Sequence, residues 1–280
     1  MAWKILLLAV ALLLALVLAP RTRAQESPGD LKQEVITLEV RPGVTMKYLA
    51  VVGREPPKAA VILLAGGNGE LKLDASGAMG DLRLNFLIRS RAQFARQGLY
   101  VAALDAPSER QGGMNGAYRL SLQHAREIGH VIADLKKRVG APVWLIGTSA
   151  GTLSTAGAAA RLVSQDQLPR PDGIVLTSTM TQLDAAGHCG KSVYDASLNT
   201  ITAPVLVVSH RDDGCVCSPG SPTVGAKLVA ELTGSPAKEH KVFTGGDRPL
   251  SGPCDARAQH GFFGIESEVV KTIADWIKSH

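Results

Sequence analysis

Aromatic residues are scarce in this 280-residue chain, with three Trp, four Tyr and five Phe. The 30 Lys and Arg residues barely exceed the 25 Asp and Glu residues, and they gather in no long run. A nucleic-acid binder needs a basic stripe and stacking side chains, so nucleic acid is excluded as a partner. Metal-type cysteine spacing is also missing. None of the four cysteines forms a C-x-x-C pair, and Cys215-Val216-Cys217 is too tight for a zinc site. The glycine-rich stretch Gly66-Gly67-Asn68-Gly69 lacks the Lys-Ser/Thr pair that completes a phosphate-binding loop. No metal and no cofactor is therefore expected. Internal repeats and low-complexity tracts are absent beyond the first two dozen residues, which points to one domain.

Long apolar runs occur once. Met1-Ala2-Trp3-Lys4 leads into Ile5–Ala19, followed by Pro20-Arg21-Thr22-Arg23-Ala24. A basic start, a short apolar core and a small residue before a polar stretch describe a secretory signal peptide over residues 1–24. The run is short of the ~20 residues a membrane span needs, so no stable span is expected after cleavage. The protein is then exported, periplasmic or extracellular. No cysteine follows the run, so a bacterial lipoprotein is not expected. Cleavage removes Lys4, Arg21 and Arg23, and the formal net charge falls from +5 to 5 − 3 = +2. In an oxidising compartment Cys189, Cys215, Cys217 and Cys254 allow two disulfides in three pairings.

Residues 25–34 are polar and read as a mobile leader, which leaves a domain over residues 35–280. Val35–Val40 and Thr45–Val52 are strands around the turn Arg41-Pro42-Gly43. Short apolar runs then alternate with helical patterns: Ala59–Leu64, Leu99–Leu104, Val143–Ile146, Ile174–Thr177, Pro204–Ser209 and Lys241–Phe243 as strands. Asn85–Gln97, Ser121–Arg138, Ala150–Val163, Pro222–Leu232 and Ile265–Lys278 are the helices. Strands apolar on both faces between helices imply an α/β fold, a mostly parallel sheet covered on both sides.

Gly147-Thr148-Ser149-Ala150-Gly151 falls where a buried strand passes into a helix. In a chain with 29 glycines the five letters say little by themselves. Their position says more, because a serine on a sharp strand-to-helix turn projects its hydroxyl at a helix N-terminus. A hydroxyl attacks only when a base takes its proton and an acid orients the base. In such a fold the acid follows a late strand and the histidine precedes the last helix. Val205–Ser209 runs into His210-Arg211-Asp212-Asp213-Gly214, and Gln259-His260-Gly261 precedes the final helix. The other histidines read as structural or exposed: His188 and His210 in loops, His124 and His130 in a helix. Asp105 and Ser108-Glu109-Arg110, after a strand, read as a solvated loop with a salt bridge, with cleft lining the alternative.

These features resemble the α/β-hydrolase superfamily. The segments "VLVVSHRDDGC" and "PCDARAQHGFFGIE" are similar to those of exported bacterial α/β hydrolases of undefined substrate, and the likeness extends over residues 35–280. It implies an α/β-hydrolase fold and a small-molecule ester or amide substrate. Between Ser149 and Asp213 there is room only for a small insertion around Met180–Leu198, so little or no lid is expected. The resemblance implies Ser149 as nucleophile, His260 as base, Asp213 as acid with Asp212 the alternative, and an acyl-enzyme route. The oxyanion donors would be the backbone of Ala150 and of Gly67 or Asn68. Ala65 and Asn68 depart from the His-Gly-Gly-Gly often found in esterases. Ester hydrolysis is the expected activity. An amidase, peptidase or acyltransferase with the same triad, and a non-catalytic binding protein on the same fold, are the alternatives. If the acid and base loops meet, a Cys215–Cys254 bridge would join them and leave Cys189 for Cys217.

Overall fold

The computed structural model describes residues 31–162, 167–184 and 189–280. The expected signal peptide, residues 25–30 of the leader, Val163 and His188 lie outside them. Eight strands form one sheet: β1 (Lys32–Arg41), β2 (Val44–Val52), β3 (Ala59–Leu64), β4 (Leu99–Leu104), β5 (Val143–Thr148), β6 (Gly173–Thr177), β7 (Val205–His210) and β8 (Lys238–Phe243). Their spatial order is β1-β2-β4-β3-β5-β6-β7-β8. Only β2 runs against its neighbours; all other pairings from β4 to β8 are parallel.

The helices are α1 (Phe86–Arg89), α2 (Arg91–Arg96), α3 (Gly116–Arg119), α4 (Leu122–Val139), α5 (Gly151–Arg161), α6 (Pro222–Glu231) and α7 (Glu266–Ser279). Period-two alternation in the strands feeds two apolar layers. Ile62, Leu145 and Leu176 pack under Ile128, Val131 and Leu135 of α4 and the alanines of α5. Val61, Leu63, Ile146 and Val175 face Phe86, Phe94 and the Val269–Ile277 stripe of α7. The central strands β3, β5 and β6 are buried along their whole length. That is why they read as unbroken apolar runs rather than as alternating ones. The long helix α4 starts where Ser121 Oγ accepts a hydrogen bond from the His124 N–H and ends at Gly140, with φ 65°. Among the described residues, no helix is long and apolar enough to cross a membrane.

The boundaries differ most from the sequence reading in three places. β1 begins at Lys32, so residues 32–34 belong to the sheet and not to a leader. Their backbones pair with Ala50–Val52 although their side chains are polar and exposed, as suits an edge strand. The single helix expected over 85–97 is two short ones, because Ser90 adopts φ −91° and ψ 0° between them. β8 extends back to Lys238, since main-chain pairing with β7 continues past its few buried side chains.

Candidate active site

Ser149 lies between the end of β5 and the start of α5 with φ +52°, the left-handed region that costs a non-glycine residue about 1–3 kcal/mol. The surroundings enforce this conformation. The Ser149 N–H donates to the Thr177 carbonyl at 3.0 Å, and its carbonyl accepts from the Thr152 N–H at 2.9 Å and Thr152 Oγ1 at 2.6 Å. The flanking glycines are required by close approach. A Cβ on Gly147 would lie 2.3 Å from Thr155 Oγ1, and one on Gly151 only 2.0 Å from the Leu64 carbonyl. On the far side, a Cβ on Gly66 would meet Ser149 Cβ at 2.9 Å. The loop after β3 therefore lies directly against the serine.

β7 leads into the turn that carries Asp212 and Asp213. Asp213 is buried, and its Oδ2 accepts from His260 Nδ1 at 2.9 Å while its Oδ1 accepts from the Cys215 N–H at 2.9 Å. Asp212 turns outward and its carboxylate accepts from Arg211 Nε at 3.2 Å. The Asp212 N–H donates to His210 Nδ1 at 3.1 Å, which leaves Nε2 of that ring to donate to the Gly245 carbonyl at 2.9 Å. His210 is thus a buried turn-former.

The His260 segment is braced from several directions. Its carbonyl accepts from Ser178 Oγ at 2.7 Å, and the Gly261 carbonyl accepts from Arg89 Nη2 at 2.6 Å. Arg89 is itself held by Glu266 at 2.8 Å. Ser178 (φ 43°) and Phe262 (φ 54°) are left-handed like Ser149, so three of the four such non-glycine residues among those described surround this site. Disulfides join Cys215 to Cys254 and Cys189 to Cys217. The first ties the turn after Asp213 to the segment before His260.

Ser149 and His260 open on one cavity of about 350 Å³. Leu82, Leu84 and Phe86 form its apolar wall, and Ser251, Asp255 and Arg257 bring polar groups to it. The sequence carried no signal for the apolar wall, since its residues look like ordinary core. Gly67 also lines this cavity. Among the described residues no acceptor takes the N–H of Gly67, Asn68 or Ala150. The Asn68 side chain is already committed: Oδ1 accepts from the Glu70 N–H of its own turn at 3.1 Å, and Nδ2 donates to the Gly112 carbonyl of a distant loop at 3.3 Å.

The remaining candidates lie elsewhere. The Asp105 carboxylate accepts from the N–H groups of Leu71 (2.6 Å), Leu73 (2.8 Å) and Ala106 (2.8 Å). Glu109 pairs with Arg41 and, at 3.6 Å, with Arg110. Asp105, Ser108 and Arg110 line a different cavity of about 250 Å³ that contains neither Ser149 nor His260. His130 is exposed. His124 is fully buried, with Nε2 at 3.0 Å from Ser154 Oγ and Nδ1 at 3.4 Å from Glu127 Oε2.

The strand order, the lone reversed strand β2 and the strand-to-helix elbow at Ser149 define an α/β-hydrolase fold. Solved structures agree. An esterase of Pyrococcus furiosus superposes with a TM-score of 0.61 at 14% identity, covering 93% of this chain and 96% of that one. A fungal esterase from Rhizomucor miehei gives 0.60 at 13%, covering 95% and 87%. A cold-adapted esterase from an Arctic intertidal metagenomic library gives 0.57 at 16%, covering 89% and 96%. No protein-family model and no curated protein matches the chain. At such identities the likeness is one of fold.

Proposed function

We propose that the protein is an exported serine hydrolase that cleaves carboxylic esters through an acyl-enzyme on Ser149. The observation that carries this reading is that Ser149, held at φ +52° on the elbow, shares a cavity with His260, whose Nδ1 meets buried Asp213 at 2.9 Å. A carboxylate only accepts, so Nδ1 carries the proton and Nε2 is left with a free lone pair. His260 Nε2 takes the Ser149 Oγ proton as Oγ bonds to the ester carbonyl carbon. The electron pair of the C=O bond moves onto oxygen, which the Gly67 and Ala150 N–H groups receive. Collapse expels the alcohol with the proton from His260. Water, deprotonated by the same nitrogen, then breaks the acyl–Oγ bond and releases the acid.

The esterase neighbours and the cavity of about 350 Å³ with its apolar wall support a small ester as substrate. The two disulfides and the leading apolar run support export through a signal peptide over residues 1–24. The test is a fluorophosphonate probe on the purified mature chain, with the labelled peptide mapped, and a panel of ester and amide substrates. Label on Ser149 and turnover of esters are expected. A folded protein that takes no label at Ser149 overturns the reading.

A further inference from the structure

Arg119, at the end of α3, is an anomaly in this molecule: only 1% of its surface is exposed. Among the described residues no carboxylate pairs with it. Its Nη2 instead donates to the Ala65 carbonyl at 3.3 Å and the Gly67 carbonyl at 3.1 Å, and its Nη1 donates to Ser154 Oγ at 3.0 Å. Burial alone pulls its pKa down to about 10, which leaves it charged at neutral pH. Burying a guanidinium without a counter-ion is costly, so the contacts it makes need a reason.

The reason lies in what those two carbonyls control. A trans peptide holds its N–H antiparallel to its C=O. Drawing the Ala65 and Gly67 carbonyls toward Arg119 turns the Gly66 and Asn68 N–H groups the other way. The Gly66 carbonyl between them accepts from the Gly69 N–H at 3.1 Å, which fixes the Gly67 N–H by the same rule. Three consecutive peptide planes are therefore locked on the loop that lies against Ser149. Gly69 is shaped for this clamp, because a Cβ there would sit 2.4 Å from Arg119 Nη2. The guanidinium is anchored from behind: Ser154 Oγ, which accepts from Arg119, lies 3.0 Å from His124 Nε2, and the ring passes on to Glu127.

We infer that Arg119 is a positioning residue: it holds the two peptide planes that flank the Gly66–Gly67 plane, so that the Gly67 N–H between them is preset to receive the oxyanion. The inference rests on the ester-hydrolase reading above. Its test compares Arg119→Met and Arg119→Lys with the unaltered mature chain in three measurements. These are kcat and KM on p-nitrophenyl acetate, the inhibition constant of a trifluoromethyl ketone that forms a tetrahedral oxyanion adduct, and the melting temperature.

In Arg119→Met, kcat falls about 10–100-fold, somewhat less than the loss expected on removing a donor outright. KM stays within about twofold, and the ketone binds more weakly by the same factor as kcat/KM, since both report the oxyanion. Arg119→Lys recovers part of the loss, because an ammonium carries the charge but cannot span both carbonyls and Ser154. A folded Arg119→Met with unaltered kcat and ketone affinity overturns the inference. So does a loss confined to KM or to melting temperature. Should Arg119→Met not fold, Arg119→Lys decides by the same measurements. An unaltered chain that is not labelled at Ser149 removes the hydrolase reading and this inference together. A labelled chain indifferent to Arg119 removes this inference alone.

Discussion

His260 Nδ1 and Asp213 Oδ2 lie 2.9 Å apart, and the two loops that carry them are joined by the Cys215–Cys254 disulfide. Neither loop has regular structure for most of its length, so the pair meets because β7 and the run into α7 end at the same edge of the sheet and a covalent bond holds them there.

Ser149→Ala is expected to abolish p-nitrophenyl acetate turnover. Asp213→Asn, which cannot fix the His260 tautomer, is expected to lower kcat by about 10³–10⁴-fold. Asp212→Ala should retain nearly full activity, because that carboxylate faces Arg211. Steady-state kinetics on the three variants decides; a large loss in Asp212→Ala with none in Asp213→Asn would reverse the assignment of the acid.

The Cys215–Cys254 bridge spans a sequence separation of 39 residues. Chain-entropy arithmetic for such a loop puts its stabilisation at about 4 kcal/mol. Replacing both cysteines by serine should lower the melting temperature by many degrees and also lower kcat, since the bridge adjoins both halves of the Asp213–His260 pair. The Cys189→Ser/Cys217→Ser double variant should lose stability with a smaller effect on kcat. Equal kinetic losses in the two double variants would contradict this. Calorimetry and kinetics on the same preparations provide the comparison.

Gly151→Ala places a methyl 2.0 Å from the Leu64 carbonyl, a main-chain atom that cannot swing away. α5 would have to move off β3. A loss of more than ~3 kcal/mol is expected in urea unfolding, at the severe end for a single added methyl. Gly98→Ala tests strain alone, because no atom lies within 4 Å of a Cβ there although φ is +81°. It should cost clearly less.

Burial holds the His124 pKa below its ordinary value, and the charge on Arg119 adds to this while Glu127 opposes it. His240 is also depressed by burial. Below about pH 6.5 the unfolded chain therefore binds protons that the folded chain refuses. Stability is fully present above that pH and declines as pH falls, by up to about 1.4 kcal/mol per pH unit for each such histidine. His124→Gln should flatten the decline between pH 6.5 and 5.5. Urea midpoints across that interval measure it, and an unchanged slope would show that His124 does not supply it.

The alternation of strands and helices was legible because the strands of this sheet are buried on both faces, so Ala59–Leu64 and Val143–Ile146 stand out as apolar runs. The glycines around Ser149 were legible for a similar reason, since the steric demand at such an elbow falls on residue type. Local spacing could not distinguish Asp212 from Asp213. Neighbouring residues in a turn point in different directions, and only packing against the His260 loop turns one of them inward.

Edge-strand limits were equally hidden, because β1 and β8 are held by main-chain pairing that leaves their side chains free to be polar. By itself the chain determined the class of fold, through hydrophobic periodicity, and the placement of one serine on a strained turn, through the glycines that turn requires. The tertiary structure decided the rest: which carboxylate meets His260, the cavity wall formed by Leu82, Leu84 and Phe86, and the seat of Arg119 behind the Ala65–Gly67 loop. Each of these depends on contacts between segments distant in sequence, whose geometry exists only once the sheet has brought them together.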